Sequence, residues 1–182
     1  EEYKNQQHEK YAPKESQPLP TVRGKVIGHF LGGIYTQMAG ERAFVDTNIF
    51  IYAVYADNEH HVASRKLLER AEKGEMEFCI AVQSLTEYYS VVTNLRRVSN
   101  PRSPQEALSD IQSILNLPDI TLILNQPIFF PIIALVEKNP VWGTDIFDVQ
   151  LGATLLGNNI KKIYTCNIND FQKFFELEAS LP

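Results

Sequence analysis

Acidic side chains recur at the points where strand-like runs of this sequence give way to helical runs. Asp46 closes the apolar run AFVD, and Glu87 lies in the helical run that follows a second strand-like run, EFCIAV. Asp148 stands in the first turn of a later helix, with Asp145 three residues before it. If these carboxylates converge, they predict a site that binds a cation.

A further polar cluster, TCNINDF, follows the last strand-like run and contributes Asn167 and Asp170. Two carboxylates about 5.5 Å apart repel by roughly 3 kcal/mol at an effective dielectric near 20, so a group of them needs a cation to offset the repulsion. Oxygen-only donors suit hard ions, and no cluster of His or Cys residues indicates zinc. The chemistry therefore points to Mg²⁺ or Mn²⁺.

Each acidic position also has a structural alternative, as a helix cap or as a favourable charge in a first helical turn. Ser84 and Glu87, for example, match a capping box, in which the glutamate would serve only the helix terminus. Asp46, Glu87 and Asp148, however, all occupy strand-to-helix junctions or early helical turns. In an open parallel sheet such positions gather at one rim, where functional sites form.

The elements that must position these residues alternate along the chain from residue 43. Strands are predicted at AFVD, EFCIAV, ITLIL and KKIYT, and helical runs separate them. Gly74 is expected to end one helix, and Ser103 with Pro104 to begin another. The last run, DFQKFFELE, is predicted to be helical. This alternation predicts an α/β fold of three layers, a short parallel sheet flanked by helices.

Residues 1–37 differ in composition from the rest of the chain. EEYKNQQHEKYAPKESQPLP is polar and holds three prolines, and the apolar stretch after it carries four glycines. We therefore predict an extended or disordered segment at 1–37 and a folded domain at 38–182.

The charge and the hydropathy of the chain limit the kinds of partner that it can have. The chain has 182 residues and a net charge of −5, so attraction to nucleic acid needs a local basic patch. No run approaches the roughly 20 apolar residues of a membrane span, so no membrane association is expected. The two cysteines follow neither a metal-ligand spacing nor a disulfide framework, and a cytoplasmic location is expected.

Four stretches make the sequence resemble the PIN-domain family, specifically the VapC-type ribonuclease toxins of toxin–antitoxin systems. They are FVDTNIFIYA, AVQSLTEYYSVVTN, GTDIFDVQLGATLL and IYTCNINDF, and they span about residues 43 to 176 in family order. In that family a strand-end Asp, a helical Glu and a later Asp bind Mg²⁺ or Mn²⁺. The resemblance implies that Asp46, Glu87 and Asp148 do so here, within a PIN-like nuclease domain.

The resemblance leaves open which residue completes the metal site. Many members carry a further Asp where this chain has Asn167, and others have Asn followed by Asp-Phe, as here. Asn167, Asp170 and Asp145 are therefore the alternatives, and Asp145 ranks last because the family pattern fits best with Asp148 as the ligand.

The implied reaction is metal-assisted hydrolysis of RNA phosphodiester bonds. Glu87, or Asp148 through a bound water, is the candidate general base. Thr47, Asn48 and Thr165 are expected to hold the ligands in place rather than to react.

An RNA substrate must approach this acidic site against charge repulsion. Basic side chains near the site would reduce that repulsion by contacting phosphates. The candidates are Arg96, Arg97, Arg102, Lys161 and Lys162.

The resemblance further implies a cognate antitoxin protein as partner and a homodimer. Residues 1–37 are either an antitoxin-like tail carried in cis or a leader. A catalytically weak PIN-like module that binds RNA or protein is the alternative function, and Asn167 in place of Asp favours it. A phosphatase with an aspartate nucleophile needs a second Asp two residues after the first, and Asn48 argues against it.

Overall fold

A parallel β-sheet lies at the centre of the computed structural model, which describes residues 25–27, 42–124, 128–172, 174 and 176–182. Its strands run in the order β1-β4-β3-β2-β5-β6, and every pair of neighbours is parallel. The strands are β1 (Lys25–Ile27), β2 (Arg42–Val45), β3 (Glu77–Ala81), β4 (Ile120–Ile123), β5 (Lys162–Tyr164) and β6 (Glu178–Ser180).

Seven α-helices connect these strands within the described residues. They are α1 (Thr47–Val54), α2 (His61–Glu72), α3 (Val82–Val92), α4 (Pro104–Leu115), α5 (Phe129–Lys138), α6 (Ile146–Gly157) and α7 (Ile168–Gln172). A short 3₁₀ helix, Gly143–Asp145, precedes α6. None of the helices described is both long and apolar enough to cross a membrane.

Side chains that alternate along the strands divide the core into two layers. In β2, Ala43 and Val45 join the cluster formed with α1 to α4, whereas Phe44 joins the cluster formed with α5 to α7. Phe78 and Cys79 of β3 divide between the two clusters in the same way. Both faces of the sheet are therefore covered, which confirms the predicted three-layer α/β fold.

The connection order places a crevice at the carboxyl end of β2. From β2 the chain proceeds to β3 and then β4 on one side, and only later adds β5 on the other side. Such a reversal of direction is where open parallel sheets bind ligands. Asp46, the first residue after β2, lies at this point.

Local signals in the sequence account for several helix boundaries. Gly74, with φ of +68°, follows α2 in a backbone conformation that favours glycine. Ser103 and Glu106 form a complete capping box at the start of α4, with Pro104 in its first turn. These two predictions are confirmed.

Two helices are shorter than predicted, so their predicted extents are wrong. The run QSLTEYYSVVTNLRRV is helical only to Val92, because the Val92 carbonyl accepts from Arg102 N at 2.7 Å and the chain turns away. The run DFQKFFELE is helical only through Gln172, and Glu178–Ser180 instead forms β6.

The predicted N-terminal segment lies largely outside the described residues. Of residues 1–37, the structure describes only Lys25–Ile27, which forms an edge strand beside β4. The predicted boundary between residues 37 and 38 also falls outside the described part of the chain and stays a prediction.

Candidate functional site

Asp46 is a buried carboxylate with three hydrogen-bond donors. It is 7% exposed and caps α1, accepting from Thr47 N at 2.7 Å through Oδ1. Its Oδ2 accepts from Asn48 Nδ2 and from Thr165 Oγ1, both at 2.6 Å. The structural alternative for Asp46, a helix cap, is therefore correct, and the same bonds fix its orientation toward the crevice.

Asn48, in the first turn of α1, and Thr165, in the loop after β5, connect the two segments that flank this carboxylate. Asn48 Nδ2 also donates to Thr165 Oγ1 at 3.0 Å, and Asn48 Oδ1 accepts from Cys166 N at 3.2 Å. Thr165 Oγ1 accepts a further bond from Asn167 N at 2.9 Å. The start of α1 and the loop after β5 thus hold each other in register.

The environment of Asp46 disfavours its negative charge. Burial raises the pKa of the Asp46 carboxyl from 3.8 to about 6, against the lowering effect of the bonds from Thr165 and Thr47. The charges of Glu87 and Asp148 raise the pKa further, so both lie close enough to act on it. A cation among these groups would offset this cost.

Glu87 is held by α1 rather than by the end of its own helix. Thr47 Oγ1 donates to Glu87 Oε2 at 2.8 Å. The helix α3 begins at Val82, with Ala81 at the N-cap, and Ser84 Oγ has no hydrogen-bond partner among the described residues. The capping-box alternative for Ser84 and Glu87 is therefore wrong.

One cleft of about 800 Å³ collects most of the acidic positions. Its walls include five of the residues considered as metal ligands, namely Asp46, Glu87, Asp148, Asn167 and Asp170. Asp145 is exposed in the 3₁₀ helix and does not line the cleft.

These oxygen donors fit a hard divalent ion, although they do not form a closed cage. Within the described residues, no three His, Cys, Asp or Glu side chains group closely enough to hold an ion as they stand. The donors are nevertheless carboxylates and one amide in a single cleft, which is the ligand chemistry of Mg²⁺ or Mn²⁺. Asp46, as a buried carboxylate of raised pKa, is the group that would gain most from the ion.

The five candidate basic residues do not share one location. Arg97 lines the cleft, whereas Arg96 does not. Arg102 Nε lies 3.2 Å from Asp110 Oδ2, so its charge is engaged between α3 and α4. Lys161 and Lys162 stand at the amino end of β5, the opposite edge of the sheet from the cleft. Of the five, Arg97 alone lines the cleft.

Sequence reasoning missed two tyrosines that line the cleft, Tyr52 and Tyr55. They are three residues apart at the end of α1, so they lie on one side of it. Burial raises the pKa of Tyr52, and the charges of Cys166 and Asp46 add to the shift. Asp46 and Asn48 stand at the start of α1, and Tyr52 and Tyr55 follow Asn48 at helical spacing. This spacing is the signal in the sequence that could have identified the two tyrosines.

The sequence of this chain is similar to those of known proteins. The family model described as PIN domain matches residues 43–174. Ribonuclease VapC43 of Mycobacterium tuberculosis is 32% identical to this chain over 119 residues, which cover 63% of this chain and 79% of that protein. A VapC ribonuclease of Mycobacterium bovis has the same identity and coverage.

Solved structures share the fold at lower identity. VapBC2 of Rickettsia felis, solved bound to a DNA fragment from its promoter, contains a chain with a TM-score of 0.57 and 19% identity, covering 77% of this chain and 98% of that chain. VapC20 of M. tuberculosis, a sarcin–ricin loop cleaving toxin, gives a TM-score of 0.55 and 12% identity, covering 72% of this chain and 95% of that chain.

Proposed function

Because this chain belongs to the PIN-domain family, we propose that it is a Mg²⁺- or Mn²⁺-dependent endoribonuclease and the toxin of a toxin–antitoxin pair. The relatives named VapC ribonuclease, at 32% identity, support RNA as the substrate. The arrangement of the cleft supports hydrolysis assisted by a metal ion.

The observation that carries this proposal is the meeting of Asp46, Glu87 and Asp148 in one cleft. They come from three elements and are 41 or more residues apart in sequence, and the charges of Glu87 and Asp148 both raise the pKa of buried Asp46. A purely structural role would not require three carboxylates to line one cleft, because like charges in a shared site are destabilising.

Asp46, Glu87 and Asp148 would hold the ion, with Asn167 or Asp170 completing its ligands. When bound, the ion would offset negative charge on the phosphate and lower the pKa of a water molecule. Both oxygens of Asp46 already accept hydrogen bonds, so this carboxylate is fixed in place and is poorly suited to move a proton.

Glu87 is the better placed proton acceptor. Its Oε2 accepts from Thr47 Oγ1, which orients the carboxylate. No hydrogen bond to its Oε1 is recorded among the described residues, and the side chain is exposed toward the cleft. Glu87 could therefore take the proton of an attacking water, with Asp148 as the alternative base.

Cleavage of a panel of structured RNAs tests this function, with Asp148→Asn compared against Asp145→Asn. The two substitutions remove the same charge three residues apart, but only Asp148 lines the cleft. We expect Asp148→Asn to lower cleavage by at least about 100-fold and Asp145→Asn to leave it nearly unchanged. Omission of Mg²⁺ and Mn²⁺ should abolish cleavage by the parent protein.

The same assay separates the enzyme from a module that only binds RNA or protein. Metal-independent RNA binding without cleavage, unaffected by Asp148→Asn, would support the binding module and contradict the nuclease. A phosphodiesterase that works equally well in EDTA would contradict the metal dependence alone.

We also propose a cognate antitoxin protein as partner, which the similarity to the VapBC2 complex supports. The catalytically impaired Asp148→Asn variant, purified from its natural host, should retain this protein. When added to the purified parent enzyme, the retained protein should inhibit RNA cleavage. A retained protein without inhibitory effect would argue against an antitoxin.

We also propose that the protein forms a homodimer. The candidate interface consists of the outer surface of α5 together with the start of α6. Phe129, Phe130 and Ile133 of α5 are 40–79% exposed, although Leu135 on the same helix is buried in the core. A helix that is apolar on both faces is typical of one that packs against a partner. Trp142 and Phe147 extend the exposed apolar residues toward the cleft.

A further inference from the structure

The two sides of the sheet differ in how their outer strands resist pairing with another chain. On one side, β6 has three residues, begins with the exposed Glu178 and is followed two residues later by Pro182. Short length, charge and a nearby proline are ordinary means by which proteins protect a sheet edge. The edge at β6 is therefore protected by its own residues.

The strand β4, near the opposite edge, has none of these features. Residues 120–124 read ITLIL, with no charged residue and no proline. A run of uncharged β-branched and aliphatic residues pairs readily with strands of other chains. The strand β3 covers one side of β4, and β1 lies on its other side. Protection of β4 therefore depends on β1.

Both faces of β4 are covered by the core, so its side away from β3 presents mainly backbone. Ile120 belongs to one core cluster and Ile123 to the other, and each is 2% exposed. Leu122 packs against the same cluster as Ile120. Alternate residues of a parallel strand direct their N–H and C=O groups to opposite neighbours, so half of these groups in β4 need a partner other than β3.

The segment Lys25–Ile27 supplies this partner. Val26 pairs with Leu122 and Ile27 with Ile123, in parallel register. The match to the PIN-domain model begins only at residue 43, so β1 comes from a part of the chain outside that match. With β1 in place, the sheet ends in three residues, one of which is a lysine. This is the kind of short, charged edge that resists further pairing.

The length of chain between β1 and β2 favours pairing within one molecule. Fourteen residues, 28–41, join Ile27 to Arg42. The two strands lie three positions apart in the sheet, about 14 Å, and the chain must also return along the strands by about 13 Å. Fourteen residues span up to about 46 Å, which is sufficient. A connection of this length gives an effective concentration on the order of 1 mM, which exceeds that of a second molecule in dilute solution.

We propose that the outer side of β4 is a strand-docking site, and that Lys25–Ile27 of the same chain occupies it and thereby prevents a second copy of the chain from pairing there. The docking surface is the backbone of residues 120–123, and the partner that it fits is an extended apolar segment. No residue of β1 is among the described residues that line the cleft, so this inference is independent of the proposed nuclease function.

An engineered disulfide tests which chain supplies the strand. Val26→Cys with Leu122→Cys places cysteines at paired positions, where Cα atoms lie about 5 Å apart and a disulfide can form. Val26→Cys with Leu124→Cys is the matched control, because two residues further along the separation is about 8 Å, beyond disulfide range. Both proteins carry Cys166→Ser, which leaves the buried Cys79 as the only native thiol.

We expect the Val26–Leu122 pair to form a disulfide within one chain at least about tenfold faster than the control pair. Non-reducing electrophoresis at micromolar protein concentration separates single chains from linked chains, and thiol counting verifies the bond. A disulfide that joins two chains would show that a second copy supplies the strand. That result, or a pair that forms no disulfide faster than the control, would overturn the inference.

Loss of the β1 pairing tests whether β1 prevents association. Val26→Pro with Ile27→Pro removes two consecutive N–H groups, one of which must point to β4. Val26→Thr with Ile27→Thr is the control, because it keeps both N–H groups and the β-branched shape. Amide hydrogen exchange of residues 120–123 reports on the edge, and light scattering over a range of protein concentrations reports on the mass.

We expect exchange at residues 120–123 to be at least about tenfold faster in the proline variant, and its mass to rise with concentration above that of the parent protein. The threonine control should match the parent in both. Faster exchange with a mass equal to that of the parent would overturn the protective role, and unchanged exchange would overturn the docking itself. Should the proline variant not fold, the disulfide pair still decides whether β1 occupies the edge.

Discussion

At the scale of single residues, the raised pKa of Asp46 makes the stability of the domain depend on pH. Its folded-state pKa of about 6 lies above its ordinary value of 3.8, so the folded state favours the protonated form. This contribution to stability is fully present below about pH 4 and is lost as the pH rises through about 6. The full shift corresponds to about 3 kcal/mol, which a bound cation would offset at neutral pH.

Glu87→Gln should stabilise the metal-free protein above pH 6 by on the order of 1 kcal/mol, because it removes a negative charge that acts on Asp46. Glutamine keeps an oxygen that can accept from Thr47. Thermal unfolding in EDTA from pH 4 to pH 8 measures the effect, which should vanish below about pH 4. Glu72→Gln, exposed on α2, is the control. A loss of stability at pH 8 in Glu87→Gln would contradict this account.

Thr165→Val should weaken metal binding by about 10–100-fold and destabilise the protein by about 2 kcal/mol. Valine has the shape of threonine but removes the hydroxyl that donates to Asp46 and accepts from Asn48 and Asn167. Calorimetric titration with Mn²⁺ and denaturant unfolding give the two quantities. Thr165→Ser keeps the hydroxyl and should restore most of both, so equal losses in the two variants would point to packing instead.

The sequence was enough to predict which residues form the site, but not which contacts those residues make. The positions of Asp46, Glu87 and Asp148 at a strand-to-helix junction or in early helical turns were sufficient to predict that they share one cleft. The bond from Thr47 to Glu87 was not predictable, because it depends on how α1 packs against α3. The cleft wall of Tyr52 and Tyr55 was missed for the same reason, since tyrosines at helical spacing fit core packing equally well.

At the scale of elements, a partly buried polar contact joins α3 to α4. Tyr88 Oη, on a side chain only 1% exposed, donates to Asp110 Oδ2 at 2.9 Å, and Arg102 pairs with the same oxygen. The loop between the helices carries Arg97, Val98 and Ser99, so this contact also holds one part of the cleft wall.

Asp110→Ala should lower the free energy of unfolding by about 1–3 kcal/mol, because it leaves the Tyr88 hydroxyl and the Arg102 guanidinium without their shared acceptor. Urea unfolding measures the loss, and amide hydrogen exchange should show faster exchange in residues 93–103. Gln112→Ala, exposed on the same helix, serves as control. Unchanged exchange in that loop would show that α3 and α4 hold it without Asp110.

Strands and helices were predictable where local signals agree with the long-range contacts. Predictions failed where a distant partner decided the outcome. The helix α3 ends at Val92 because the backbone N–H of Arg102, ten residues later, donates to the Val92 carbonyl. The segment at 178–180 pairs with β5, although its sequence continues an apolar run that reads as helical. The edge strand Lys25–Ile27 likewise depends on β4, almost a hundred residues away.

At the scale of the whole molecule, Phe130→Glu should convert the proposed homodimer into a monomer. Phe130 is 79% exposed on α5, and a charge there would be buried unpaired in an interface. Light scattering coupled to size-exclusion chromatography measures the mass. Leu95→Glu is the matched control, since Leu95 is 80% exposed but lies in the loop after α3. A parent protein that is monomeric at high concentration would contradict the proposed dimer directly.

The bond between Asp46 and Thr165 joins residues 119 positions apart in the chain. During translation at about 5–20 residues per second, the ribosome therefore exposes the first acidic residue on the order of 10 s before the strand and loop that hold it. Until then the nascent chain has neither a closed crevice nor a fixed carboxylate. A polypeptide released early by a stalled ribosome would lack the cleft that we propose cleaves RNA.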